Sequence, residues 1–259
     1  MVRLKQKPII KFTIIKMILK NKVAIVTGST RGIGEAIVRA LTLEGVKTII
    51  NSNTSINEGK VLENELNSKG FNTIYIQGDI SDENDVRGLF DKTIKLYGRI
   101  DILVNNAGIS YKKSESKKYY FEDYAKMQKI NGWGVYLCSK YAAQFMERGK
   151  IVNISSIYGI EPNPNSILAS GVKAEVESYT KSFAIKCKGK IEVNSVAPGY
   201  TNTKIVREKF SRKELKNIVN QTSQKRLLSP KEIADAVVFL LKNDGITGQT
   251  IILDGGYLL

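Results

Sequence analysis

The sequence predicts an α/β protein, a Rossmann-like doubly wound parallel sheet in a single domain. Three observations carry that expectation. Short runs rich in valine and isoleucine alternate with helix-period segments along nearly the whole chain. Most of those runs are apolar throughout rather than at every second residue, as a sheet covered on both faces requires. The first run also passes through a glycine-rich turn straight into a helical segment.

Taken in order, strands are expected at residues 23–26, 48–50, 73–76, 100–104, 151–154, 191–196 and 250–253. Helices are expected at 33–44, 57–69, 82–97, 121–147, 167–186 and 230–241, where apolar residues recur with the spacing of one helix face. No Pro/Gly/Ser-rich linker, internal repeat or low-complexity tract divides them. A single domain over 17–259 is therefore expected.

The first twenty residues stand apart, with Arg3, Lys5, Lys7, Lys11, Lys16 and Lys20 and no acid. The apolar stretch there is broken by Lys11 and Lys16 and is too short to span a bilayer as a helix. It lacks the uninterrupted apolar core of a signal peptide. Met17 looks like an ordinary start before the first strand, so 1–16 is expected to be a basic extension with little structure.

Composition removes several chemistries. The 259 residues include no histidine, which excludes a Ser-His-Asp triad, a Cys-His dyad and any His-ligated metal. Proton chemistry near neutral pH falls to Tyr, Lys, Asp, Glu or water. Cys138 and Cys187 form no CxxC pair, so neither a metal site nor a disulfide framework is indicated, and a reduced, cytoplasmic setting is expected. The net charge of +15 raises nucleic acid or an anionic membrane as partners. The basic residues are scattered, however, with no interleaved aromatic platform, and a lysine-rich solvated surface accounts for them. No nucleic-acid, membrane or metal partner is expected.

The turn after the first strand reads Thr27-Gly28-Ser29-Thr30-Arg31-Gly32-Ile33-Gly34. Gly28 permits the tight turn, Gly32 lets the backbone approach a pyrophosphate, and Gly34 allows close helix–sheet packing. The following helix N-terminus offers free N–H groups to an anion.

Together with NNAG at 105–108, Asn131, the serine of NISS at 153–156, PGYTNT at 198–203 and DGG at 254–256, this turn resembles the short-chain dehydrogenase/reductase family. The flavour is that of its 3-oxoacyl-carrier-protein reductase-like members, and the likeness runs in order through residues 18–259. The resemblance implies a nicotinamide cofactor held by the glycine turn, Thr30 and Ile33 included. Asp79 would take the adenine amino group, with Ile80 beside it. Asn105, Ala107 and Gly108 would pack by the adenosine ribose and support the sheet. Pro198, Gly199 and Thr203 would line the nicotinamide side. No Asp or Glu stands between Glu44 and Glu58, where an NAD-specific site places its acid, and Arg31 can reach a 2′-phosphate, so NADP is favoured over NAD.

The family's proton comes from a tyrosine four residues before a lysine on one helix. At that spacing the ammonium sits by the phenol and lowers its pKa. Ser156 fits the serine that holds the substrate carbonyl, Lys173 the lysine that also bonds the nicotinamide ribose, and Asn131 the asparagine that holds a water of the proton relay. Four residues before Lys173 stands Ala169. The acid alone is missing. Two literal YxxxK strings, at Tyr136 with Lys140 and Tyr200 with Lys204, lie off the expected helix and read as chance matches. Tyr158 and Tyr200 remain as hydroxyls that neighbouring loops can bring to the pocket.

Two readings follow. One is an NADP-dependent oxidoreductase scaffold for a carbonyl/alcohol pair, such as a 3-oxoacyl thioester or small ketone, impaired at Ala169. The other is a non-catalytic dinucleotide-binding or interaction protein. Family resemblance also implies a homo-oligomer, a dimer or tetramer.

Overall fold

All seven expected strands form: β1 (Val23–Val26), β2 (Lys47–Ser52), β3 (Thr73–Gln77), β4 (Ile102–Asn105), β5 (Gly149–Ile154), β6 (Ile191–Pro198) and β7 (Thr250–Leu253). They make one parallel sheet in the order β3-β2-β1-β4-β5-β6-β7. The structure is a computed structural model that describes residues 18–110 and 121–259, so the expected basic extension at 1–16 lies outside the described residues.

Strand order reverses between β1 and β4. Ala24 pairs with Thr48 of β2 on one side and with Ile102 of β4 on the other. Crossovers leave that junction in opposite directions, opening a crevice at the carboxyl ends of the strands, where ligands of such sheets bind.

The pleat explains why the strands read as apolar throughout. Ala24, Val26, Ile50, Ile102, Val104 and Val152 face a layer containing α1 (Gly32–Leu43), α2 (Ile56–Ser68) and α9 (Pro230–Lys242). The alternate residues Ile25, Ile49, Leu103, Ile151 and Val193 face α3 (Glu83–Tyr97), α5 (Gly134–Phe145) and α6 (Ile167–Lys186). Adjacent residues point to opposite faces, so a strand buried on both sides has no polar face to show. At the far end of the sheet, buried Asp101 accepts from the Val23 amide and pairs with Lys22 and Arg99, which ties the start of β1 to the start of β4.

The structure departs from expectation in two places. The single helix expected at 121–147 is three pieces: α4 (Phe121–Gln128), a π-helical turn at Lys129–Trp133, and α5, which ends at Phe145. Gly134 begins α5 pressed on Ile80, where an added Cβ would lie 2.5 Å from the Ile80 side chain. The wide turn brings the backbone that close and presents Asn131 to the crevice; single π turns of this kind recur at functional sites. The charged segment after Thr203, to which no element was assigned, forms α7 (Lys204–Lys209) and α8 (Arg212–Gln221). A reciprocal Ser211–Glu214 capping box starts α8, and its S-x-x-E pattern was the available signal.

Among the described residues no helix is long and apolar enough to cross a membrane, and no group of three or more Cys, Asp or Glu side chains could hold a metal ion.

Candidate active site

A cavity of about 570 Å³ runs along the carboxyl edge of the sheet, from the ends of β2 and β3 to the loop after β6. The glycine turn forms one wall. Gly28 has φ +58°, and a Cβ there would lie 2.5 Å from the Ala107 Cα. Gly32 has φ +61° and faces only the Thr203 side chain, 3.5 Å from where a Cβ would sit. Arg31, at the N-cap of α1, makes no side-chain cap, so no cap satisfies the first N–H groups of α1 at the cavity. A tight cradle ending in an uncapped helix N-terminus fits a pyrophosphate.

Polar bonds hold the strand ends around this cradle. Ser29 Oγ donates to the Val26 carbonyl at 2.7 Å and accepts from the Asn51 amide at 3.0 Å, fixing the turn to the end of β2. Asn53 donates to Asp79 Oδ2 at 2.7 Å, so Asp79 is held in the wall next to Ile80. Thr30, Arg31, Ile33, Gly34, Ala107 and Gly108 also line the cavity.

Asn105 does not. Its amide is buried and donates to Ser139 Oγ at 3.0 Å and to Asn153 Oδ1 at 2.8 Å, which binds β4 to β5 and α5. The strand pleat turns it into the sheet, and the cavity position belongs to Asn106, whose amide donates to the carbonyls of Thr27 and Gly28. Sequence reasoning passed over Asn106, although it stands in the same NNAG motif.

The expected catalytic set converges at the other end. Ser156 is the N-cap of a short 3-10 turn (Ile157–Gly159), and its Oγ accepts from the Tyr158 amide at 3.2 Å. Asn131 is buried and clasps Ile109, accepting from its amide and donating to its carbonyl, both at 2.8 Å. Lys173 donates from Nζ to the Ile154 carbonyl at 2.8 Å, and burial pulls its ammonium down to about 8. Ala169 lies one helical turn before Lys173 on α6 and lines the same cavity, offering only a methyl. Pro198, Gly199 and Thr203 complete this end, where Gly199 lies against Asp254 of the DGG motif.

Of the two chance YxxxK strings, Tyr136 is far from this chemistry: it packs on Trp133, Tyr179 and Phe183, while Lys140 pairs with Glu83 at 2.8 Å. Tyr200 is in the cavity wall, but its Lys204 is exposed and pairs with Glu208 at 3.6 Å. The Tyr158 and Tyr200 hydroxyls bond one another at 2.5 Å, and burial raises both phenols above their ordinary value. Among the described residues no ammonium acts to lower either phenol.

A phosphate cradle at a topological switch point, continuous with a Ser/Lys/Asn cluster, defines a dinucleotide-binding oxidoreductase scaffold. The family model described as Enoyl-(Acyl carrier protein) reductase matches residues 28–258. An uncharacterized oxidoreductase of Thermotoga maritima is 34% identical over 250 residues, covering 92% of this chain and 96% of that protein. A 3-oxoacyl-[acyl-carrier-protein] reductase of a Synechocystis species is 33% identical, covering 93% and 98%. A solved short-chain dehydrogenase of Burkholderia cenocepacia, in complex with NADP, superposes with TM-score 0.87 at 28% identity, covering 94% of this chain and all of that one. The chain belongs to the short-chain dehydrogenase/reductase family of nicotinamide-dependent oxidoreductases.

Proposed function

We propose that this chain is an NADP-dependent oxidoreductase scaffold for a carbonyl/alcohol pair, such as a small ketone or 3-oxoacyl thioester, slowed by Ala169 at the proton-donor position. The observation that carries it is the meeting of Ser156, Asn131 and Lys173 in one cavity, with a methyl where the acid belongs. NADP is favoured because the end of β2 offers Asn51, Ser52 and Asn53 in place of an acid, while exposed Arg31 stands in the same wall. The bound nicotinamide supplies or accepts the hydride. Ser156 Oγ orients the substrate oxygen, Lys173 holds the nicotinamide ribose, and Asn131 holds the relay water.

Restoring the phenol tests this. Ala169→Tyr should raise NADPH oxidation with ketones and acyl thioesters by about 10²–10⁴-fold, the usual worth of a positioned general acid. A variant that binds NADPH but stays inert on every carbonyl would sink the enzyme reading. Ala169 itself favours the second reading, a non-catalytic dinucleotide-binding or interaction protein. Isothermal titration of the chain with NADP and NAD separates the two from a purely structural role: binding of neither leaves only the last.

A further inference from the structure

Beyond Ser156 the cavity is walled by rings and ammonium groups. Tyr200 meets Tyr158 edge-on and packs in the same way on Phe210, with ring centroids 6.3 and 5.5 Å apart. Lys209, the last residue of α7, is half-buried there. Its Nζ donates to Ser110 Oγ at 3.0 Å, reaching the loop after β4, and lies 5.6 Å from the Phe210 centroid. Burial holds its ammonium below the ordinary lysine value, and no carboxylate among the described residues acts to raise it. Lys126 and Lys204 also line the cavity. Among the described residues the single carboxylate in the wall is Asp79, which lies after β3, at the opposite edge of the crevice from the loop after β6.

Taking an ammonium out of water without a counter-charge is costly, and a hydroxyl and a ring face offset only part of that cost. Among the described residues Lys209 has no carboxylate partner, and the ligand space it lines has room for an anion. We propose that Lys209 is a specificity residue that recognises an anionic group on the substrate. The cavity then takes a ketone or secondary alcohol with an apolar or aromatic body and a carboxylate at its distal end. The substrate class rests on the oxidoreductase reading above. Tyr158, Tyr200 and Phe210 supply the apolar faces for the body, Ser156 faces the oxygen to be reduced or oxidised, and Lys209 forms a charge-assisted hydrogen bond to the carboxylate.

The test is binding, which does not depend on the missing acid. Isothermal titration of the full chain saturated with NADPH compares 4-acetylbenzoate with its neutral counterpart 4-acetylbenzamide. The acid should bind at least about tenfold tighter, the worth of one hydrogen bond to a charged group. Lys209→Met should erase that preference, and Lys209→Arg should keep it. Equal affinities in the unaltered chain, no measurable binding of the acid, or a preference that survives Lys209→Met overturns the proposal. So does a Lys209→Met chain that loses affinity for NADPH instead, since the lysine would then serve a cofactor phosphate. A chain that binds no dinucleotide fails the oxidoreductase reading separately. The same acid–amide comparison on the cofactor-free protein then decides Lys209 alone.

Discussion

At the scale of single residues, the methyl of Ala169 and the ammonium of Lys173 decide how the site behaves. Both line the cavity of about 570 Å³, a space larger than a phenol molecule. Phenol or 4-methylphenol at millimolar concentration should therefore raise the NADPH oxidation rate saturably, and should do nothing for Ala169→Tyr, whose own ring fills the space. A rate indifferent to added phenol would show that the void is closed to it. Lys173 has a second, thermodynamic signature. The unfolded chain keeps this lysine protonated up to its ordinary value of 10.5, whereas the fold holds it at about 8. Between those values the unfolded state binds the extra proton, so this group's contribution to stability grows as pH rises through the window. Urea midpoints measured across it should rise less in Lys173→Met than in the parent chain. Ser156, Lys173 and Ala169 were legible in the sequence because motif order and the i, i+4 helix rule place them without reference to the rest of the fold. Tyr158 and Tyr200 were legible as hydroxyls that loops could bring to the pocket, and both line it. Asn106, the bond between the two tyrosines and the place of Lys209 were not. Each depends on a partner brought from a distant stretch of chain: Asn106 on Thr27, Tyr158 on Tyr200, Lys209 on Ser110.

At the scale of elements, strands were legible because both-face burial leaves an unbroken apolar run, and helices because their apolar stripes recur. The long helix expected at 121–147 shows the limit. Periodicity runs through Lys129–Trp133 with too little disturbance to betray a π turn, which goes with the close approach of Gly134 to Ile80, a contact between distant stretches of chain. The short helix α7 spans too few residues for a periodic signal, and α8 shows only one short stripe, Leu215, Ile218 and Val219, in an otherwise charged segment, so its cap is the clearer mark of where it starts. Caps also carry measurable energy. Helix α9 starts at Ser229 with Pro230 in its first turn and a reciprocal Ser229–Glu232 box, with Glu232 also bound to Arg226. Ser229→Ala should cost about 1 kcal/mol in denaturant-measured stability, with cofactor affinity unchanged. A loss several times larger would mean that Ser229 holds more than the helix end.

At the scale of the whole molecule, surface and topology both matter. The strand β7 closes one edge of the sheet with Ile252 exposed. An edge of this kind is a template for pairing, which fits the homo-oligomer that the family resemblance implies. Light scattering coupled to gel filtration should give a dimer or tetramer of the 28.8 kDa chain, and a monomer at all loadings would end that proposal. The switch-point crevice has a different kind of consequence, one of timing. β1 pairs with β2 close by in the chain, but with β4 only across a separation of nearly eighty residues, as Thr27 reaching the Val104 carbonyl illustrates. Closing so long a loop is slow and entropically uphill. The cradle cannot exist until both halves of the sheet have met, so a dinucleotide can select only a molecule that is already nearly native. Its binding should then act as a latch rather than a guide, leaving the folding rate alone and lengthening the lifetime of the folded state.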